Sequence, residues 1–370
     1  MRSRLRRWAL HALVPATLLS LAAAPFMANW LEPRLIQPTA QIMTFLLTGR
    51  FAEHTFEDGV PQVYYRRLGE SHANPVYASV YAFWYYQEAH GTNEFDYFLD
   101  YYNIAAPPEP ADGYITYFFN VADRLVDALV LREYDGVTYG VWEYAFPWEV
   151  YRLEPGWVSG MAQGLGIQVL LRAWTDSGAP KYMEAIALAR RSFEVPADAG
   201  GVTLMESDTS WWYEEYASPG AVQSRVFNGA AHAVIALLEL AERADDEAAE
   251  VLARRGLTSI LGSLSTYDAG WWTYYDALGL MSNYKYHHVN VNLARHLGER
   301  AANGQLLATA ERWGDYRVPF FQREFLRQRP QVSDVALLLL AAGIAFVFTV
   351  LVFSLVAALR GDRRSARGTG

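Results

Sequence analysis

The chain has 370 residues, with 31 Lys and Arg against 40 Asp and Glu, a net charge of −9 and no cysteine. That balance excludes nucleic acid as a partner, since such binding rests on a basic surface, and the missing cysteines exclude disulfides and thiolate catalysis. Aromatic residues make up 15% of the chain, including 12 Trp and 24 Tyr; flat amphipathic rings fill cores and also stack on sugar faces.

In chain order, the first element is an uncharged stretch from Trp8 to Leu31, preceded by Arg2, Arg4, Arg6 and Arg7. It is long enough to cross a hydrocarbon layer of about 30 Å as a helix. Ala22, Ala23 and Ala24 near its end also resemble a secretory cleavage site, and an uncleaved anchor is the preferred reading. At the other end, Val335 to Leu359 runs without a charge into Arg360, Arg363, Arg364 and Arg367, a stop-transfer pattern. The positive-inside bias predicts both termini in the cytoplasm. The expected organisation is a cytoplasmic basic end and anchor over 1–31, an extracytoplasmic domain over 32–331, a C-terminal transmembrane helix over 332–359 and a basic cytoplasmic tail over 360–370. Without its basic ends the middle is more acidic than the whole chain, so a polyanionic partner requires a local basic pocket.

Between the apolar stretches, helical periodicity predicts pairs of helices separated by loops rich in Gly, Pro, Asp and aromatics. One pair is Met161–Thr175 and Pro180–Phe193, joined by Asp176, Ser177 and Gly178. A second is Phe227–Arg243 and Asp245–Ser263, with Ala230, Val234, Leu237, Leu238 and Ala241 on one buried face. A third is Tyr286–Leu297 and Ala302–Trp313, after which Tyr316–Arg329 leads to the membrane. Earlier helices are expected over Val76–Ala89 and Tyr117–Leu131, and short hairpin arms at Val137–Tyr144, Val202–Met205 and Trp271–Tyr275. The fold class is thus all-α: an (α/α) toroid-type domain of helical hairpins with short β-hairpin arms, flanked by two transmembrane helices, the loops at one end of the inner helices lining a cleft.

Three segments concentrate ionisable and aromatic groups: Trp211 to Tyr216 followed by Asn228-Gly229, Tyr267 to Asp276, and Tyr284 to Asn292. Glu214 and Glu215, being adjacent, point in different directions, so one of them faces any given site. His287 and His288 invite a metal reading, but no further ligands stand at zinc spacing, and neither metal nor cofactor is expected.

Tyr213-Glu214-Glu215-Tyr216 with Asn228-Gly229, Tyr267-Asp268 with Tyr275-Asp276, and Tyr286-His287 with Asn292 resemble, in order and spacing, the C-terminal catalytic domain of D-glucuronyl C5-epimerases. So do Asp58-Gly59-Val60-Pro61, Asn74-Pro75-Val76 and the run from Gly156 to Gly164. The resemblance covers roughly residues 55 to 315. It implies inversion of C5 of glucuronic acid, giving iduronic acid, within a polysaccharide and without a redox cofactor, on an α/α toroid. By position, Glu215, Tyr275 and Tyr286 match the residues that exchange the C5 proton in the family, and Tyr216, Asn228, Trp157 and Gln163 fall in its substrate cleft. After Asp276 the chain reads Ala277-Leu278-Gly279, where the animal enzymes carry basic residues.

Inversion next to a carboxylate needs an acid/base group on each face of the ring and a partner for the enediolate charge. A glutamate with a raised pKa and tyrosines whose pKa is lowered by a nearby cation would serve. His287, His288, Asn290 and Arg225 are the candidates for holding the substrate carboxylate; each also has an ordinary structural reading. Competing functions are a polysaccharide lyase, which removes the same proton and then eliminates at C4, a glycoside hydrolase using Glu215 with Asp268 or Asp276, and a non-catalytic envelope protein that binds glycan. The expected partners are a uronic-acid polysaccharide and the membrane, with a homodimer left open.

Overall fold

The computed structural model describes residues 13–48, 54–65, 67–102, 104 and 107–367. Trp8 and the N-terminal arginines lie outside the described residues. The chain divides into two units, Met1–Phe51 with Arg317–Gly370 and Ala52–Tyr316.

In the first unit an N-terminal helix, Val14–Thr48, packs along a C-terminal helix, Val332–Arg367. Val14–Ile36 and Val332–Val356 are long and apolar enough to cross a membrane. Ala28 and Leu31 meet Leu337 and Ala341 around Phe320. Arg323, in a π-helical turn over Gln322–Arg327, is buried between Glu32 and Glu324; a buried guanidinium persists only with such partners. The N-terminal helix continues past Leu31 to Thr48, so the globular unit starts later than the hydropathy break suggests.

The second unit is built on four helical pairs. They are α1 (Pro75–His90) with α2 (Tyr114–Asp127), α3 (Gly160–Ser177) with α4 (Pro180–Arg191), α5 (Phe227–Ala244) with α6 (Glu247–Ser263), and α7 (Tyr284–Arg300) with α8 (Gly304–Gly314). Within this set α1 packs on α3, α3 on α5 and α5 on α7. Their starts are set by side chains that satisfy the free amides of a first turn. Asn74 accepts from the Tyr77 amide with Pro75 at the first helical position, Ser159 from Ala162, Asp246 from Ala249 and Asn283 from Tyr286. Helix α3 is buried on every side from Gly160 to Ala173, as expected of a central helix. Its one buried guanidinium, Arg172, is held by Glu94 and by Glu239 at 2.8 Å.

Short strands occupy the connections: β1 (His54–Glu57), β2 (Val60–Tyr65) and β3 (Glu70–Ala73) form an antiparallel sheet, and β4 (Val130–Tyr134) pairs with β5 (Val137–Val141). Two smaller ladders join β6 (Glu143–Tyr144) to β7 (Trp157–Val158) and β8 (Thr203–Met205) to β9 (Trp211–Tyr213). The three-stranded sheet has no counterpart in the sequence reading. Its first turn is Asp58-Gly59, with φ of 49° and 82°, the left-handed pair that a two-residue hairpin demands. The helix expected over Tyr117–Leu131 stops at Asp127, because Val130 and Leu131 pair with Val141 and Gly140 instead. Trp271–Tyr275 is not a hairpin arm: Asp268 accepts from the Gly270 amide and turns the chain, leaving only isolated bridges to Thr273 and from Tyr274 to Met281.

A β-carbon on Gly166 would lie 2.4 Å from the Trp142 ring, and that indole is fixed by its bond to the Leu125 carbonyl. Gly166→Ala is therefore expected to destabilise the chain by about 1–3 kcal/mol through overpacking, lowering the midpoint of thermal unfolding followed by circular dichroism; an unchanged midpoint would show that the α3 contact yields freely.

Candidate active site

The N-terminal ends of α1, α3, α5 and α7 open on a single cavity of 520 Å³. Asn74 and Tyr77 reach it from α1, Ser159 and Met161 from α3, Asn228 from α5, and Lys285 and Tyr286 from α7. The remaining wall comes from β2, the loop holding Phe146 and Trp148, Trp157 of β7, and Glu215 with Tyr216 just after β9. Four sets of first-turn amides give the cavity a positive electrostatic bias.

Glu215 is the acidic group of its floor. Residues 211–213 pair with β8, which carries Glu215 against the first turn of α5; a β-carbon on Gly229 would lie 2.6 Å from its Oε2. Glycine there is a requirement of close approach. Burial raises the Glu215 pKa to about 8, against the opposing effect of the Tyr216 and Tyr275 hydroxyls. Tyr275 donates to Glu215 Oε1 at 3.5 Å, and its hydroxyl lies 3.2 Å from that of Tyr216. Glu214 points the other way, accepting the Arg225 amide at 2.9 Å on both oxygens, and burial raises its pKa to about 7.

Tyr286 stands on the wall, its ring 4.8 Å from that of Tyr275. Tyr275 does not reach the cavity; it joins Glu215, Tyr216 and Tyr286 from behind. Burial, followed by the Glu215 charge, raises the pKa of both phenols. The lowered phenol pKa expected from the sequence is thus reversed: at neutral pH both are hydrogen donors. Glu215 Oε2, Asn228 Nδ2 and Trp148 Nε1 are buried without a hydrogen-bond partner among the described residues, a cost of about 1–3 kcal/mol each that a polar ligand would relieve.

Trp157 lines the cavity, stacked on Tyr144 at 3.7 Å with its indole donating to the Phe146 carbonyl. Other expected site residues lie elsewhere. Gln163 bonds both backbone groups of Trp142. Arg225 pairs with Glu206. His287 is stacked on Trp272 at 3.5 Å and bonded to Thr273, His288 bonds the Tyr284 carbonyl, and Asn290 donates to the Tyr274 carbonyl. None of these lines the cavity. Asp276 accepts Tyr151 and the Leu278 and Leu280 amides, and Asp268 accepts Tyr316 and Arg312. Neither of these two carboxylates lines the cavity with Glu215.

Lys285 was not singled out by the sequence. It lines the cavity with its ammonium 4.3 Å from the centre of the Tyr102 ring, and burial lowers its pKa to about 8. The available signal was its place two residues after the Asn283 cap, where a cation opposes the helix dipole.

Residues 135–315 match the model of the D-glucuronyl C5-epimerase C-terminus. The chain is similar to an uncharacterized protein of Methanocaldococcus jannaschii, 32% identical over 157 residues, which is 42% of this chain and 50% of that one. It is also similar to the D-glucuronyl C5-epimerase of Caenorhabditis elegans, 36% identical over 183 residues, 44% of this chain and 29% of the relative. The chain thus spans half or less of the length of these relatives.

Because the folded state holds the Glu215 proton up to about pH 8 while an unfolded glutamate releases it near 4.5, its stabilising effect is complete below 4.5 and is lost as pH rises through 8. Half-buried His54 and buried His232, with pKa values lowered to about 4 and 3, are neutral in both states well above pH 6.5 and do not mask the trend there. Between pH 6.5 and 8 the unfolding free energy of the wild type should therefore fall more steeply than that of Glu215→Gln in denaturant titrations. Equal slopes would mean that Glu215 is ionised in the fold.

Proposed function

Residues 135–315 belong to the D-glucuronyl C5-epimerase C-terminal family, and from that premise we propose that the chain inverts C5 of glucuronic acid residues within a polysaccharide. The carrying observation is the pair Glu215 and Tyr286, an acidic carboxyl and a phenol on the wall of one cavity, linked through Tyr275. The succession of α1, α3, α5 and α7 with α2, α4, α6 and α8 packed against them supports the α/α toroid reading.

In the glucuronate direction, the Glu215 carboxylate takes the C5 proton and the C–H electron pair moves into the carboxylate as an enediolate. The Tyr286 phenol then delivers a proton to the opposite face, and exchange with water restores both groups; the iduronate direction reverses the roles. A carboxylate with a pKa near 8 is a stronger base than an ordinary one, which favours it for a weak carbon acid. Tyr275 holds the Glu215 carboxyl and acts as a positioning residue. Asn228, Trp148 and Tyr216 offer the ring hydroxyls donors and flat apolar surface. The two apolar helices tether this unit to a membrane, with the unit on the outer side.

Incubation of the full chain in detergent micelles with unsulfated uronic-acid polysaccharides in deuterated water should place deuterium at C5 with a new ring configuration by NMR and no new double bond. Glu215→Gln and Tyr286→Phe should each lower exchange by about 10²–10⁴, and Tyr275→Phe by less. Unsaturated product in place of exchange would make the chain a lyase. Full exchange by Tyr286→Phe would remove that phenol from the reaction.

Protease added to intact cells should digest residues 52–316 while leaving a C-terminal tag uncut. Survival of the unit until the cells are opened would reverse the orientation.

A further inference from the structure

The wall of the cavity holds an ammonium whose presence the packing alone does not explain. Lys285 occupies the second position of α7, after the Asn283 cap and next to Tyr286. A cation in a first helical turn meets the positive end of the helix dipole, and here it is also half-buried among aromatic rings. The usual remedy is a carboxylate partner, yet among the described residues no carboxylate forms an ion pair with Lys285; its neighbours are the Tyr102 and Tyr286 rings, 4.3 and 5.5 Å from the ammonium. Glu215 lines the same cavity, and among the described residues no ion pair joins the two. Arg67, another cation of the wall, is committed to Glu149 on an exposed rim. The residues expected to hold a substrate carboxylate are engaged elsewhere, Arg225 with Glu206 and His287 with Thr273.

We propose that Lys285 is the carboxylate anchor of the site, its ammonium binding the C5 carboxylate of the uronic acid and holding C5 between Glu215 and Tyr286. The substrate class rests on the epimerase reading; the presence of an anion-binding ammonium does not. Bound there, the carboxylate supplies the missing partner of the half-buried cation. As the C5 proton leaves, the enediolate gains a second negative charge next to the same ammonium, so the contact strengthens along the reaction. Lys285 exchanges no proton with C5, and the proton balance of the Glu215 and Tyr286 step is unchanged.

The test is equilibrium binding to the full chain in micelles of an unsulfated glucuronic-acid oligosaccharide and of the same oligosaccharide with its carboxyls reduced to alcohols. The wild type should prefer the acid by about ten- to hundredfold, as for a hydrogen bond to a charged group. Lys285→Met should bind the two alike, its retained binding of the neutral ligand reporting an intact cavity, and Lys285→Arg should recover part of the preference. A wild type with no preference, or a Lys285→Met chain that keeps it, overturns the assignment. Should Lys285→Met not fold, Lys285→Gln replaces it with the same outcomes. C5 exchange is read in parallel: a wild type that prefers the acid but exchanges no deuterium overturns the epimerase reading alone, whereas normal exchange with undiminished discrimination in the variant overturns Lys285 alone.

Discussion

The convergence of four helix starts on one cavity is the constraint from which the rest of the site follows. Each start leaves amides without intrahelical partners, so each must be capped, and the caps Asn74, Ser159 and Asn283 fix where the neighbouring wall residues stand. The α5 start has no side-chain cap; the buried Glu215 carboxyl lies against its Gly229 instead. The carboxyl is tolerated there because burial holds its proton up to about pH 8 and the Tyr275 hydroxyl donates to it.

The same arrangement answers an electrostatic objection raised by the composition. A chain of net charge −9 repels a polyanion at long range, but a ligand in the cavity meets helix starts and the Lys285 ammonium at short range. Near charges outweigh distant ones because salt and water screen the interaction progressively with distance. The glycan need not be drawn in by a basic surface; a tether that keeps the unit close to its substrate would serve instead of steering.

Most of the helical framework was legible because amphipathic periodicity and caps are local signals. The pairs α3 with α4 and α5 with α6 fall within a few residues of their sequence-based limits. The sheet of β1 to β3 was not, since its strands are short and their partners are set by packing over Tyr81 and Tyr85 rather than by alternation. At the cavity, Glu215, Tyr216, Asn228, Trp157 and Tyr286 were legible through their motifs. Gln163 and His287 share those motifs, and Arg225 and Asn290 were named for their chemistry, yet all four bond other parts of the protein outside the cavity, because neither motif nor residue type separates side chains that face a cavity from those that hold its surroundings.

Lys285 illustrates the opposite failure. Its residue type carries no motif, and a lysine in a helix is ordinarily a solvated charge, so its place just after the Asn283 cap is the one weak mark in the linear pattern. What marks it is a conflict between levels: the position opposes the helix dipole, the surroundings are aromatic, and among the described residues no acid forms an ion pair with it. Places where local preference and tertiary environment disagree are where function is most economically sought. Tyr275 shows the complementary case, a residue matched by position to the reacting pair that the fold sets one layer back, where its hydroxyl reaches Glu215 and its ring reaches Tyr286. A phenol so placed touches both groups, its hydroxyl donating to the Glu215 carboxyl and its ring packing edge-on against Tyr286.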